Sequence, residues 1–92
     1  MSASAEPWEV VSSATARRAL RRIPDKAAAA IVEFIDGPLR ENPQRLGKEL
    51  RGEMAGLRSA RRGEYRVIYR LLEQERLIEV IFVSHRRDAY RA

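Results

Sequence analysis

The last third of the chain alternates apolar residues with arginines, and this pattern limits the folds open to it. Residues 57–70 and 77–83 are rich in Val, Ile, Leu and Tyr, and a polar turn at 73–76 separates them. Because successive side chains of a strand point to opposite faces, such alternation is typical of sheet strands. The pattern predicts an antiparallel meander of three strands, at residues 54–61, 64–72 and 76–83.

The first half of the chain predicts one strand and a first helix. Residues 8–12 read Trp-Glu-Val-Val-Ser, which combines the aromatic and β-branched residues that favour strands. Ser12 or Ser13 can cap a helix running to about Ile23, because a serine hydroxyl accepts a backbone N–H of the first turn. Its apolar stripe has helical spacing, at Ala16, Ala19, Leu20 and Ile23.

A second helix is expected from Asp25, which can cap it, to Asn42-Pro43, which ends it. Gly37-Pro38 interrupts its apolar pattern and predicts a kink or break, since proline removes a backbone hydrogen bond. Residues 44–53 are predicted to link this helix to the meander. The order βααβββ predicts an α+β fold, with a helix hairpin packed on a small, mainly antiparallel sheet.

Size and composition indicate one small domain. The chain has 92 residues, of which 45% are apolar, and it contains no cysteine. We expect a flexible tail over residues 1–7 and a single domain over residues 8–92. Neither a signal peptide nor an apolar run long enough to cross a membrane is visible. The sequence therefore predicts a soluble, cytoplasmic protein with no membrane partner.

The charge is basic and lies mainly in the second half. The net charge is +5, of which residues 47–92 contribute +4, and 16 of the 18 basic residues are arginines. Arginine binds phosphate through two parallel hydrogen bonds and stacks on bases, so this bias suits a nucleic-acid partner, although solubility or gene composition would also explain it. The first helix holds four arginines outside its apolar stripe, for which we favour a solvated face over a second phosphate-binding patch: Arg17, Arg18, Arg21 and Arg22.

Several catalytic classes are disfavoured by the residues present. One histidine and no cysteine leave few ligands for a zinc site, and no acidic cluster suits two-metal phosphoryl chemistry. A glycine-rich phosphate loop and a G-x-S-x-G motif are both absent. What remains is a mechanism without metal or other cofactor, built from Arg, His and Tyr, or no catalysis at all.

Cleavage of RNA needs few groups, because the substrate supplies its own 2′-hydroxyl nucleophile. Arginines can neutralise the developing phosphorane charge, and His85 can act as acid or base near neutral pH. Tyr90 can stack on a base or donate a proton. Each candidate also has a structural alternative: loop charge for Arg61 and Arg62, a packing role for His85, and contact with the sheet edge for Tyr90.

Three stretches of the second half stand out together. Residues 50–52 read Leu-Arg-Gly, residues 57–69 contain Ala-Arg-Arg-Gly-Glu-Tyr-Arg-Val-Ile-Tyr, and residues 83–90 read Val-Ser-His-Arg-Arg-Asp-Ala-Tyr. In this order and in a chain of this size, they resemble the RelE branch of the RelE/ParE toxin superfamily, especially its actinobacterial members. The resemblance covers about residues 8–91.

The resemblance implies the toxin of a type II toxin–antitoxin pair. Such toxins enter the ribosomal A site and cut mRNA there by metal-independent attack of the 2′-hydroxyl, which inhibits translation. By position, it implies that Arg66 contacts the scissile phosphate, Arg86 assists the leaving group, and Tyr90 stacks on or orients a base. Arg61 is expected to add charge stabilisation.

The resemblance does not identify the general base. The strand positions where the family has two lysines hold Leu57 and Ser59, which leaves His85, Arg61 or Lys48 as replacements. The catalytic candidates are thus Arg66, Arg86, Tyr90, His85 and Arg61. The further candidates for RNA or ribosome binding are Lys48, Arg51, Arg58, Arg62 and Arg87.

The implied partners are the ribosome, mRNA and a RelB-like antitoxin with an acidic or amphipathic segment that covers the basic sheet. Two alternatives stay open. A ParE-like inhibitor of DNA gyrase shares the fold but generally lacks the catalytic terminus. A non-catalytic module would bind RNA or the ribosome with strong salt dependence and leave the RNA intact.

Overall fold

A single five-stranded sheet organises the computed structural model, which describes residues 7–87. In spatial order the strands are β1-β5-β4-β3-β2. β1 is parallel to β5, and all other neighbours are antiparallel, which confirms the predicted α+β class with a mainly antiparallel sheet. The strands are β1 (Glu9–Ser12), β2 (Lys48–Glu49), β3 (Arg58–Arg62), β4 (Tyr65–Leu72) and β5 (Leu77–His85).

The first helix, α1 (Ala14–Arg22), begins where the serine pattern predicted. The Ser13 hydroxyl accepts a hydrogen bond from the Ala16 N–H at 2.9 Å and donates one to the Ile81 carbonyl at 2.5 Å. The cap therefore also ties the start of α1 to β5. The four arginines of this helix lie exposed, outside its buried stripe, as predicted.

The second helix, α2 (Asp25–Phe34), differs from the prediction at its start and in its middle, and the helical stretch ends before Asn42-Pro43 as expected. Asp25 is its first helical residue and not its cap, because Pro24 already occupies the capping position with an extended ψ of 145°. The Gly37-Pro38 pair does not break the helix, which widens into a π-helical turn at Ile35–Leu39 and continues to Glu41. The wider turn accommodates a proline that cannot donate a backbone hydrogen bond.

The stretch predicted as a linker contains structure. The short helix α3 (Pro43–Leu46) and strand β2 both lie within it, and β2 adds a fifth strand to the sheet. β3 begins at Arg58 and not at residue 54, because a 3-10 turn at Gly52–Met54 comes first. β5 extends to His85, two residues beyond its predicted end.

The core fills the space between the helices and one face of the sheet. In β4 the alternate residues Tyr65, Val67, Tyr69 and Leu71 face the helices, since all four belong to or pack against the core. The buried core residues are Trp8, Ala16, Ile31, Ile35, Leu39, Ala60, Val67, Tyr69, Ile78, Val80 and Val83. The helices thus cover one face of the sheet, which we call the helix-side face.

Tyr69 anchors the link between the helices and β2. Its hydroxyl donates to the Pro43 carbonyl at 2.6 Å, and burial raises its pKa above the ordinary value of 10.0. A Cβ atom on Gly47 would lie 2.2 Å from that hydroxyl, so only glycine fits there. This packing fixes the position of β2 relative to the rest of the sheet.

Candidate functional site

Arg66 lies on the face of the sheet opposite the helices, where it is partly buried and the next residue on that face, Ile68, is fully buried. Its neighbour Val67 is buried under the helices, so the pleat of β4 projects Arg66 to the opposite side. Arg66 lies opposite Arg61 of β3 on one side and opposite Ser84 of β5 on the other. We call the face of the sheet that carries Arg66 the open face.

The open face contains a cleft of about 320 Å³ at the β2–β3 edge. Its lining includes three cationic side chains and one carboxylate, Lys48, Arg61, Arg66 and Glu49, beside Leu46, Leu50 and Ser59. The carboxylate of Glu49 lies 3.4 Å from the Arg58 guanidinium at the sheet edge. The cleft therefore has an excess of positive charge and suits an anion.

Two cations face each other inside this cleft. Arg61 and Arg66 are directly opposite on neighbouring antiparallel strands. Like charges in that position destabilise a sheet, by a few tenths of a kcal/mol to about 1 kcal/mol. A phosphate placed between the two strands could be bound by both guanidinium groups.

Lys48 enters the cleft from a strand that the sequence did not predict. It pairs with Ser59, one of the two positions where a lysine was expected from the resemblance. The other position, Leu57, lies directly before β3, and its carbonyl accepts from the Leu50 N–H at 2.9 Å. The cation missing at Ser59 is thus present on the neighbouring strand.

Arg86 lies just beyond β5, beside the turn that joins β3 to β4. Its backbone N–H donates to the Glu64 carbonyl at 2.7 Å, and its Nε lies 3.4 Å from Glu64 Oε1. Half of its side chain is exposed. Glu64 was not among the predicted site residues, because its contacts depend on the register of β4 with β5.

His85 occupies the other side of the sheet. Val83 is a core residue and His85 follows it by two positions, so both project to the helix-side face. The His85 ring packs edge-on against Tyr65 with 5.2 Å between ring centroids, and Nδ1 accepts the Arg87 N–H at 3.2 Å. The structure therefore does not bring the imidazole together with Arg66.

The remaining candidates divide by location. Arg58 is largely buried, and its guanidinium donates to the carbonyls of Gln44 at 2.6 Å and Gly47 at 3.0 Å. Arg62 lines a second cavity of about 430 Å³ with Arg61, Glu33, Phe34, Pro38 and Leu46. Arg51 and Arg87 are exposed. Tyr90 lies outside the described residues, as does the predicted tail apart from Pro7.

Ser84 is a further polar residue that the sequence did not single out. Within residues 7–87, its hydroxyl is buried without a hydrogen-bond partner, and it pairs with Arg66 across the strands. No group of His, Cys, Asp or Glu in this part of the chain is arranged to hold a metal ion. Over the same residues, no helix is long and apolar enough to cross a membrane.

A family model and two relatives match nearly the whole chain. The model, described as the ParE toxin of the type II toxin–antitoxin system parDE, matches residues 10–90. Toxin RelE of Mycobacterium tuberculosis is 51% identical over 85 residues, which cover 92% of this chain and 88% of that protein. Toxin RelG of the same organism is 46% identical over 85 residues, with coverage of 92% and 98%.

The fold also matches one chain of a solved toxin–antitoxin complex. The crystal structure of the toxin–antitoxin complex RelBE2 from Mycobacterium tuberculosis aligns with a TM-score of 0.84 at 44% identity, covering 87% of this chain and 99% of the matched chain. The resemblance drawn from the three sequence stretches is therefore confirmed. The chain belongs to the ParE toxin family of type II toxin–antitoxin systems, and within it the chain is a RelE-like toxin.

Proposed function

We propose that this toxin is a ribosome-dependent endoribonuclease that cuts mRNA in the A site without a metal ion. The observation that carries the proposal is the cleft of about 320 Å³ on the open face, which Lys48, Arg61 and Arg66 all line. A phosphodiester placed there would meet preorganised positive charge. Such charge is often the largest single contribution when negative charge develops in a transition state.

The proposed reaction uses the nucleophile that RNA already has. The ribose 2′-oxygen attacks the adjacent phosphorus and loses its proton, and a new P–O2′ bond forms. The P–O5′ bond then breaks and the 5′-oxygen takes up a proton, which gives a 2′,3′-cyclic phosphate and a 5′-hydroxyl. In this scheme Arg66 and Arg61 bind the phosphate oxygens and Arg86 stabilises the leaving group.

Other residues are assigned supporting roles. Tyr90 is proposed to stack on a base. Lys48 and Arg61 are candidates for the proton acceptor because both line the cleft, whereas His85 does not. Arg51, Arg62 and Arg87 are proposed to contact RNA phosphates around the cleft. Arg58, whose guanidinium is bound to backbone carbonyls, supports the fold more directly than it supports RNA binding.

The proposed partners are the ribosome with its mRNA and a cognate RelB-like antitoxin in the cytoplasm. The solved relative is described as a toxin–antitoxin complex, which supports a protein partner for this chain as well. An acidic or amphipathic antitoxin segment would neutralise the charge of the open face. Occupation of the cleft by such a segment would exclude RNA from it.

Primer extension on mRNA held on purified ribosomes with an empty A site tests the proposal. Cuts within the A-site codon, formed only when ribosome and toxin are both present, are the expected result. The control is the same mRNA without ribosomes. Intact mRNA in every lane would overturn the proposed activity.

A second candidate function is inhibition of DNA gyrase, because the matching family model is described by the ParE toxin. The supercoiling activity of purified gyrase separates the two functions. Loss of supercoiling together with intact ribosome-bound mRNA would favour the gyrase inhibitor. Cleavage of mRNA with normal supercoiling would favour the endoribonuclease.

A further inference from the structure

Glu64 makes polar contacts with the end of β5 that no sequence pattern predicted. Its backbone carbonyl accepts the Arg86 N–H at 2.7 Å, which extends the ladder between β4 and β5 by one residue. One carboxylate oxygen, Oε1, lies 3.4 Å from Arg86 Nε and 3.5 Å from His85 Nε2. The segment that carries Arg86 is therefore bound to the β3–β4 turn by both backbone and side chain.

The contacts of His85 define its neutral form. Nδ1 accepts the Arg87 backbone N–H, so a neutral imidazole must carry its proton on Nε2. That Nε2–H faces the Glu64 carboxylate. The contact of Nε2 with Glu64 Oε1, at 3.5 Å, is an ion-pair distance, and the ring also packs edge-on against Tyr65.

The two faces of the sheet separate the imidazole from the cleft. Arg66 projects to the open face, whereas His85 follows the buried Val83 on the helix-side face. A proton-transfer group must reach the proton it moves within hydrogen-bonding distance or through one water. An imidazole on the helix side of the sheet, whose Nδ1 accepts the Arg87 N–H, does not meet that condition for a substrate bound beside Arg66.

We propose that Glu64 is a positioning residue that orients Arg86, and that His85 is the second anchor of the same turn and not a proton-transfer group. The part of the proposal that concerns activity rests on the proposed RNA cleavage. The anchoring itself concerns only the toxin. The contacts of the Glu64 carboxylate with Arg86 and His85 are long and half-exposed, so each contributes little to stability. Together they hold the Arg86 side chain in one orientation.

Nitrogen-15 NMR of the imidazole tests the anchoring directly, since the chain has a single histidine. At alkaline pH the expected spectrum shows a protonated Nε2 and an unprotonated Nδ1 in one dominant tautomer. In Glu64→Ala the Arg87 N–H still holds Nδ1 unprotonated, so the tautomer should persist, but the Nε2 chemical shift should move because the facing carboxylate is lost. Glu75→Ala, which removes an exposed carboxylate in the β4–β5 turn, should leave that shift unchanged. A protonated Nδ1, or an Nε2 chemical shift unaffected by Glu64→Ala, would overturn the anchoring whether or not RNA is cut.

Single-turnover cleavage on ribosomes tests the role in activity. Glu64→Ala is expected to lower the rate about tenfold by misplacing Arg86, and Glu64→Gln, which keeps an acceptor oxygen, to recover most of it. His85→Gln keeps an N–H near the Nε2 position but cannot transfer a proton near neutral pH, and it should stay within about threefold of wild type. A loss of about 100-fold or more in His85→Gln, as expected for a general acid or base, would overturn the proposal.

The two arms distinguish this proposal from the proposed function. If wild-type toxin leaves ribosome-bound mRNA intact, the endoribonuclease assignment fails, and the imidazole spectrum still decides whether Glu64 and His85 anchor the turn. If wild type cuts and Glu64→Ala cuts equally fast, the positioning role fails and the endoribonuclease assignment stands.

Discussion

Arg66 and Arg58 lie on neighbouring strands of one sheet, yet the sheet uses them in different ways. Arg58 projects to the helix-side face, where its guanidinium donates to the carbonyls of Gln44 and Gly47 and is largely buried. Arg66 projects to the open face, opposite Arg61 and beside the cleft. The same side chain therefore stabilises the fold in one place and, as we propose, binds substrate in the other.

The difference follows from what each guanidinium faces. Arg58 Nη2 donates to two carbonyl oxygens within the protein, and these charge-assisted hydrogen bonds contribute to stability, although within the described residues its Nε is buried without a hydrogen-bond partner. Arg66 lies directly opposite a second arginine, and like charges in that position destabilise a sheet. Charge that is costly to the free protein is a common property of functional sites, and it predicts that activity and stability can be lost separately.

The largest expected effect comes from Arg66→Ala. Removing one preorganised charge from the phosphate site should lower the cleavage rate by about 100-fold or more. The free energy of unfolding should stay within about 0.5 kcal/mol of wild type, because Arg66 is only partly buried and lies outside the helix-side core. Single-turnover cleavage and urea denaturation measure the two quantities.

Arg70→Ala is the matched control for that experiment. Arg70 lies on the same strand and the same face, four residues away, but it is bound to Glu79 through Nε at 3.1 Å and Nη2 at 2.5 Å. Its replacement should leave cleavage nearly unchanged. Equal losses in both variants would mean that general positive charge, and not the position of Arg66, supports the reaction.

Arg58→Ala should show the opposite behaviour. Loss of its hydrogen bonds to two backbone carbonyls should lower the free energy of unfolding by about 2 kcal/mol. Cleavage per folded molecule should stay close to wild type, because the guanidinium does not line the cleft. A variant with unchanged stability and strongly reduced cleavage would place Arg58 among the RNA-binding residues instead.

The sequence predicted the parts of this comparison that depend on periodicity. The alternation of β4 was enough to separate Arg66 from the buried Val67, and the serine before α1 was enough to place its cap. The partners of Arg58 are backbone carbonyls, and no side-chain pattern encodes them. β2 has two exposed residues and no apolar alternation, so its pairing, which brings Lys48 beside Ser59, arises only from tertiary contacts.

The face occupied by His85 was hidden for a related reason. The strand was predicted to end at residue 83, so the predicted pleat assigned no face of the sheet to His85. In the structure β5 continues through His85, and the pleat then sends its ring to the helix side. An error of two residues at a strand end thus changed the expected partners of the histidine.

Arg61→Gln should give an intermediate effect. Arg61 is expected to bind the same phosphate as Arg66. Its loss should lower the cleavage rate about tenfold, which is a small effect for the removal of one group that stabilises the transition state. Thermal denaturation should show unchanged or slightly higher stability, since the opposing arginine pair is relieved. The matched control is Arg62→Gln, one residue further along the strand on the alternate face. A larger loss in the control would shift the phosphate site toward the second cavity.

The smallest effect is expected on α1, whose arginines are exposed and lie on the helix layer. Arg17 donates to the Ser12 carbonyl at 2.5 Å, and Arg21 lies one turn further along the helix. Arg17→Ala and Arg21→Ala should each keep the cleavage rate within about twofold, as for surface substitutions away from a site.

The salt dependence of ribosome binding tests the same point. Each lost phosphate contact lowers the slope of log affinity against log salt concentration by about 0.7–0.9. Arg66→Ala should therefore change this slope, and the α1 variants should not. A changed slope in Arg21→Ala would identify α1 as a second phosphate-binding surface. Exposed arginines on the helix layer would then contribute to ribosome binding as much as the arginines of the sheet do.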